Sequence, residues 1–173
     1  MGIFDQGIFN GKFQSQTEKP IAGTAVEQAY TGSLTPAKVT ATIVPGTAVT
    51  ATVGSPLNIT TAAANTSISG FAVIGDSDYV ADGSQAGVQV AGQLVNFAQL
   101  GRGTKVYLPV KAADLTGGVI TAFKWNIDNG YVEKTTGVAF TATLLSGPID
   151  GQKISKSGDN YVFVDCSVAL FQI

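Results

Sequence analysis

The chain has 173 residues, of which 45% are hydrophobic and 13% charged, and its formal net charge is −2. That length suits one domain with a real core, and the charged share is about half the usual one. With no Lys/Arg block, no long apolar run and no histidine, the composition argues against nucleic-acid binding and a membrane-spanning helix, and it removes Ser-His or Cys-His nucleophile pairs and imidazole metal ligands.

The first residues, M-G-I-F-D-Q, carry no basic region followed by an apolar one, so no signal peptide is expected. Gln6 stands where myristoylation needs Ser or Thr. Residues 1–30 read as an extended N-terminal arm, too rich in glycine for a helix and without sustained alternation. Phe4, Ile8, Phe9 and Phe13 are spread along it. Apolar side chains on such an arm bury either on this domain or on a partner, which makes these four the candidate partner-interface residues. Thr17–Pro20 reads as the turn into the domain.

Residues 31–173 read as a single β domain. Its first part, 31–69, is rich in Thr and Ala. Val39-Thr-Ala-Thr-Ile43 recurs there as Val49-Thr-Ala-Thr-Val53, each copy alternating and β-branched. Two short strands joined by V-P-G-T-A follow from this, and the prolines make them edge strands or loops. Asn58-Ile59-Thr60 and Asn65-Thr66-Ser67 match the glycosylation sequon by chance in a Thr-rich stretch.

Phe71–Ile74 is a short buried-strand pattern. Asp76, Asp78 and Asp82 invite a calcium loop, but Val80 and Ala81 stand where an EF-hand needs Asp or Asn and then Gly. A polar turn explains them. Val88–Val90 and Leu94–Phe97 read as strands split by Gly92, and Gly101-Arg-Gly103 turns the chain into the next. There Val106, Leu108 and Val110 share a core face against Lys105, Tyr107 and Pro109. Lys111–Leu115 fits one helical turn. Val119–Ile127 puts Phe123 and Trp125 on the core side, and Asp128-Asn129-Gly130 predicts a tight hairpin back through Tyr131–Lys134. Val138–Leu144 alternates again, Gly147–Gly151 and Ser157–Asn160 read as turns, and Tyr161–Ile173 as a final strand pinned in a sheet.

These patterns predict an all-β fold, a β-sandwich or barrel-like domain of about eight to ten short strands with Gly-rich turns. Cys166, the sole cysteine, reads as a small buried hydrophobe and permits no internal disulfide. The carboxylate pairings that can be named, Asp165 with Cys166 and Asp76 with Asp78, lack a base or a third group. No enzyme activity, cofactor or metal is therefore expected.

Several stretches carry a resemblance: F-A-V-I-G at Phe71–Gly75, V-Q-V-A-G at Val88–Gly92, and G-T-K-V-Y-L-P-V-K-A at Gly103–Ala112. They continue through F-K-W-N-I-D-N-G-Y-V, L-L-S-G-P-I-D-G and the terminal F-V-D-C-S-V-A-L. In this pattern of strand spacing and turn glycines the chain resembles the capsid decoration, or cement, proteins of tailed bacteriophages. The resemblance implies a β-rich structural virion protein, made in the host bacterial cytoplasm. It would bind the outside of the assembled capsid and stabilise it by bridging copies of the major capsid protein. It also implies a homo-oligomer, a trimer before a dimer. The residues leave other readings open: a carbohydrate-binding or adhesive β-sandwich, which needs Trp125, Tyr107 and Tyr131 on one open face, or a phage tail or fibre component.

Overall fold

The computed structural model describes residues 19–26, 34–74, 87–115, 122–137 and 140–173. Within them the fold is all-β. Its strands are β1 (Ala25–Val26), β2 (Leu34–Val39), β3 (Ala48–Thr52), β4 (Leu57–Thr61), β5 (Gly70–Ala72) and β6 (Leu94–Gln99). They continue as β7 (Lys105–Pro109), β8 (Ala122–Asn126), β9 (Tyr131–Lys134), β10 (Phe140–Thr141), β11 (Thr143–Ser157) and β12 (Asn160–Gln172). The helical content described is two 3-10 turns, Asn65–Ser67 and Ala112–Leu115. The second of these is the turn expected after Lys111.

Strands β2 to β6 close into a small barrel, in the order β2-β4-β3-β5-β6. This corrects the expectation of an edge at 31–69. Of the two similar stretches, Val49–Val53 falls on β3, whereas Val39–Ile43 is not a strand: β2 ends at Val39 and Ile43 makes a single bridge to Gln89. Strand β4 lies between β2 and β3, parallel to β2 through Ala37↔Leu57 and antiparallel to β3 through Ala51↔Ile59. Closure gives every strand two neighbours, so no edge is left for the prolines to guard. Pro36 sits inside β2 opposite Asn96 and gives up one ladder donor there. Alternation fills the barrel: Ala37, Val39, Val49, Ile59 and Phe97 are all buried, with Ala and Val making room in the bore for the Phe97 ring.

The remaining strands make two sheets, β1-β7-β12-β11 and β10-β8-β9. Five aromatic rings join them to the barrel. Trp125 meets Phe71 edge-on at 5.7 Å, and Phe71 meets Phe140 at 5.3 Å. Phe140 stacks on Phe123 at 6.0 Å, and Phe123 meets Phe171 at 5.1 Å. Phe71 belongs to the barrel, Phe123, Trp125 and Phe140 to one sheet, and Phe171 to the other. Edge-to-face and offset pairs of this kind contribute about 0.5–1.5 kcal/mol each beyond area burial. Trp125 is 3% exposed, as the core-anchor reading expects. Ile127, expected on the same face, lies in the turn and is exposed.

Three local expectations are corrected. The β8–β9 turn spans four residues, because Asn126 pairs with Tyr131. The Asn126 carboxamide oxygen accepts the Asn129 N–H at 2.9 Å, so one positive φ, at Gly130, suffices. Gly147–Gly151 is not a turn. Strand β11 runs through it, with register shifts between Leu144 and Ile149 that leave Pro148 outside the ladder. Cys166 is not core: it is partly exposed, on the outer half of β12.

Candidate functional site

Phe4, Ile8, Phe9 and Phe13 lie outside the described residues, as do Asp76, Asp78 and Asp82. The chain enters the described structure at Lys19, and its first segment links two edges of one sheet. Ala22 N–H donates to Gln152 O at 2.8 Å, on the outer edge of β11, and Gln152 N–H donates to Pro20 O at 2.9 Å. The next residue, Gly23, donates to Tyr107 O at 2.7 Å, on the outer edge of β7. Residues 20–26 therefore form a strap that bonds to both outer strands. The strap also grips the barrel, because Ile74 N–H donates to Gly23 O at 2.9 Å. Ile21 and Ala22 are buried under it.

At its start, Lys19 Nζ lies 3.0 Å from Asp165 Oδ2. Gln152 Nε2 donates to the other oxygen of the same carboxylate at 3.0 Å. The Gln152 hydrogen bond, followed by Lys19, holds the Asp165 carboxyl below its ordinary pKa, and the bond to Asp165 raises that of Lys19. Asp165 thus anchors the strap to β12. Its neighbour Cys166 has its thiol pushed up by burial, which makes it a poor nucleophile at neutral pH. The pairing of Asp165 with Cys166 therefore offers no activated sulfur.

Beyond the Gln152–Asp165 rung, the β11–β12 hairpin runs on as an unshifted ladder to Ser157↔Asn160. There the strand stops being core. Val162, Phe163 and Val164 are 42%, 40% and 40% exposed, with the valines on one face and Phe163 with Tyr161 on the other. Among the described residues, β12 has a backbone neighbour on its second side only from Val168 onward and at Ser167, whose carbonyl accepts Val110 N–H at 2.9 Å. Among the described residues, nothing pairs with the main chain of 160–166 on that side, which leaves an open edge there. A strand apolar on both faces reads in sequence as doubly buried, and the inner half of β12 is so. The outer half carries the same pattern into solvent, and no local signal marks the point where cover ends.

A second apolar area lies at one end of the barrel, where Val53 is 95% and Leu94 71% exposed. A cleft of about 270 Å³ opens between the barrel turn at Val44–Thr47, the β8–β9 turn and Lys153–Lys156. Its ionisable groups are Asp128, Lys153 and Lys156. Lys153 Nζ donates to Asn129 O at 3.0 Å, so this ammonium holds the turn against β11. On the far side of Trp125, Asn65 receives the Trp125 N–H on Oδ1 at 2.7 Å and donates Nδ2 to Trp125 O at 2.9 Å. One of the two sequon asparagines is thus a clamp on the core. Glu133, buried on β9, pairs with Lys124 on β8 at 3.0 Å. Among the described residues, no cluster of three or more His, Cys, Asp or Glu could hold a metal ion, and no helix is long and apolar enough to cross a membrane.

Comparison of the chain with protein-family models, with characterised proteins and with solved structures found no match in any of the three. The geometry alone therefore describes what the molecule offers: a body locked by a strap, with apolar backbone and side chains projecting from it.

Proposed function

We propose that this chain is a structural virion protein that binds the outside of an assembled phage capsid and stabilises it by bridging major-capsid subunits. The observation that carries the proposal is the exposed apolar surface of the hairpin and barrel end, in a chain with 13% charged residues. Exposed apolar side chains grouped in this way are what a neighbour in an assembly covers. The sequence resemblance supplies the kind of assembly. Binding at many symmetry-related positions would strengthen a shell by avidity, with no chemistry at the site. Residues 1–16, with Phe4, Ile8, Phe9 and Phe13, would supply further contacts by ordering on the shell.

The test is co-sedimentation with assembled shells, followed by imaging and by shell melting with and without the protein. Saturable binding on the outer face and a raised shell melting temperature are expected. A chain lacking residues 1–16 should bind more weakly. Protein left in the supernatant, with shell melting unchanged, sinks the proposal. The carbohydrate-binding alternative needs Trp125 as an open platform, and the burial of that ring argues against it.

A further inference from the structure

The outer edge of β12 carries few of the features that usually protect such edges. Residues 160–167 read N-Y-V-F-V-D-C-S, with no Lys, Arg, Pro or Gly. Exposed edges are normally blunted by such residues or by a bulge. Here the register shifts lie at the base of the hairpin, between Leu144 and Ile149, and not along this edge. The opposite edge, on β11, is covered by the strap at Gln152.

Main-chain direction along the edge follows from one bond. Ser167 O accepts Val110 N–H on this side of β12, and the rungs run unshifted from Ser167 to Asn160. Alternate residues of an antiparallel strand aim both main-chain groups to the same side. Asp165, Phe163 and Tyr161 therefore present N–H and C=O outward, while Asn160, Val162, Val164 and Cys166 turn theirs toward β11.

We infer that this edge pairs antiparallel with the same edge of a second copy of the chain, about a two-fold axis at Phe163. In that register Phe163 faces Phe163, and Tyr161 faces Asp165 of the second copy. Each of these is a hydrogen-bonded pair, as the outward parity requires. Val162 then lies beside Val164 of the second copy on one face, and the two Phe163 rings meet on the other. Apolar cross-strand pairs of this type are the stabilising unit of a sheet. The charges permit it as well. The single charged residue of the edge, Asp165, is already matched by Lys19 at 3.0 Å and meets Tyr161 rather than a like charge. Self-pairing buries on itself the apolar surface that the monomer leaves exposed. The contact is isologous, where the family resemblance alone led to a trimer. It does not rest on the capsid proposal and stands if shells are not bound.

The chain's own cysteine reads the register. With Phe163 on the axis, Asn160 and Cys166 of the second copy form a non-hydrogen-bonded pair, close enough for a disulfide, whereas the two positions are too far apart along one strand to bridge within a copy. The Asn160→Cys variant, oxidised with copper–phenanthroline, is expected to give a covalent dimer about tenfold faster than Asp159→Cys or the natural chain, because pairing raises the local thiol concentration. Equal rates overturn the register. Sedimentation velocity over a concentration series should show the natural chain dimerising. Phe163→Pro removes an outward N–H and spares the β11 ladder, so it should remain monomeric, with Phe163→Ala intermediate. A natural chain that stays monomeric throughout, or association that Phe163→Pro leaves unchanged, overturns the inference.

Discussion

Gly23 has little freedom to change. Its φ is +90°, and a Cβ there would stand 2.5 Å from the Gly46 nitrogen and 2.7 Å from Pro45 Cβ. Gly92 has the same φ with open space around it. Gly92→Ala should therefore cost only the left-handed strain, about 1–2 kcal/mol. Gly23→Ala should cost clearly more, because backbone must also move. Urea unfolding of the two variants separates strain from clash, and equal losses would refute the close packing. Trp125→Ala should cost about 3–5 kcal/mol, as expected for a buried ring packed on Phe71; the Asn65 clamp grips the main chain and survives the change. The Lys19–Asp165 pair behaves differently because both groups are solvated. The folded pKa of Asp165 is depressed, so its contribution is present above the unfolded carboxylate pKa and is lost as pH falls through the folded value. That of Lys19 is raised, so its contribution is lost as pH rises through the folded amine value. Hydrogen-exchange protection of the Gln152 amide, corrected for intrinsic exchange rates, should be flat at neutral pH, fall slightly in acid and weaken with salt. Asp165→Asn should remove that acid step.

At the scale of elements, the β11–β12 hairpin has two halves with different roles. The inner half carries Val168, Ala169 and Phe171, all fully buried. In the outer half Ile154 is the buried side chain. Replacing residues 156–161 by an Asn-Gly turn that joins Ser155 to Val162, a pair in the same hydrogen-bonding phase as the natural Ser157↔Asn160, should change unfolding free energy by about 1 kcal/mol or less, a surface-sized effect. The same change removes Tyr161 from the edge and should weaken dimerisation in sedimentation. If the shortened chain fails to fold, the tip is structural and the division is wrong. The sequence carried the inner half plainly, through strand alternation and a core Trp on a neighbouring hairpin. It carried the outer half misleadingly, because Tyr161–Val164 and Val168–Phe171 have the same apolar texture. Burial depends on which strand lies alongside, and the neighbour β7 ends at Pro109. Likewise, the second Thr-rich repeat announced a strand, β3, but the first did not form one, and neither announced closure into a barrel. That closure depends on β4, between β2 and β3, and on β6, far along the chain. The strap left almost no local trace, since Ile21-Ala22-Gly23 has neither strand length nor alternation.

The molecule as a whole is held by that strap. Ala22 and Gly23 donate to Gln152 O and Tyr107 O, Gln152 and Tyr107 donate back to Pro20 O and Thr24 O, and Ile74 donates to Gly23 O. The strap joins two bodies, the four-stranded sheet at both edges and the barrel at Ile74. Without it, β7 and β11 each regain an open edge, and the barrel loses one tie to the sheet. A chain beginning at residue 27 should therefore lose cooperative unfolding, seen as a broad, low-enthalpy calorimetric transition, and should bind hydrophobic dyes. A chain beginning at residue 17 retains Lys19 and the whole strap, so it should unfold cooperatively. If the chain beginning at residue 27 instead melts sharply at the natural temperature, the two edges are held by something other than the strap.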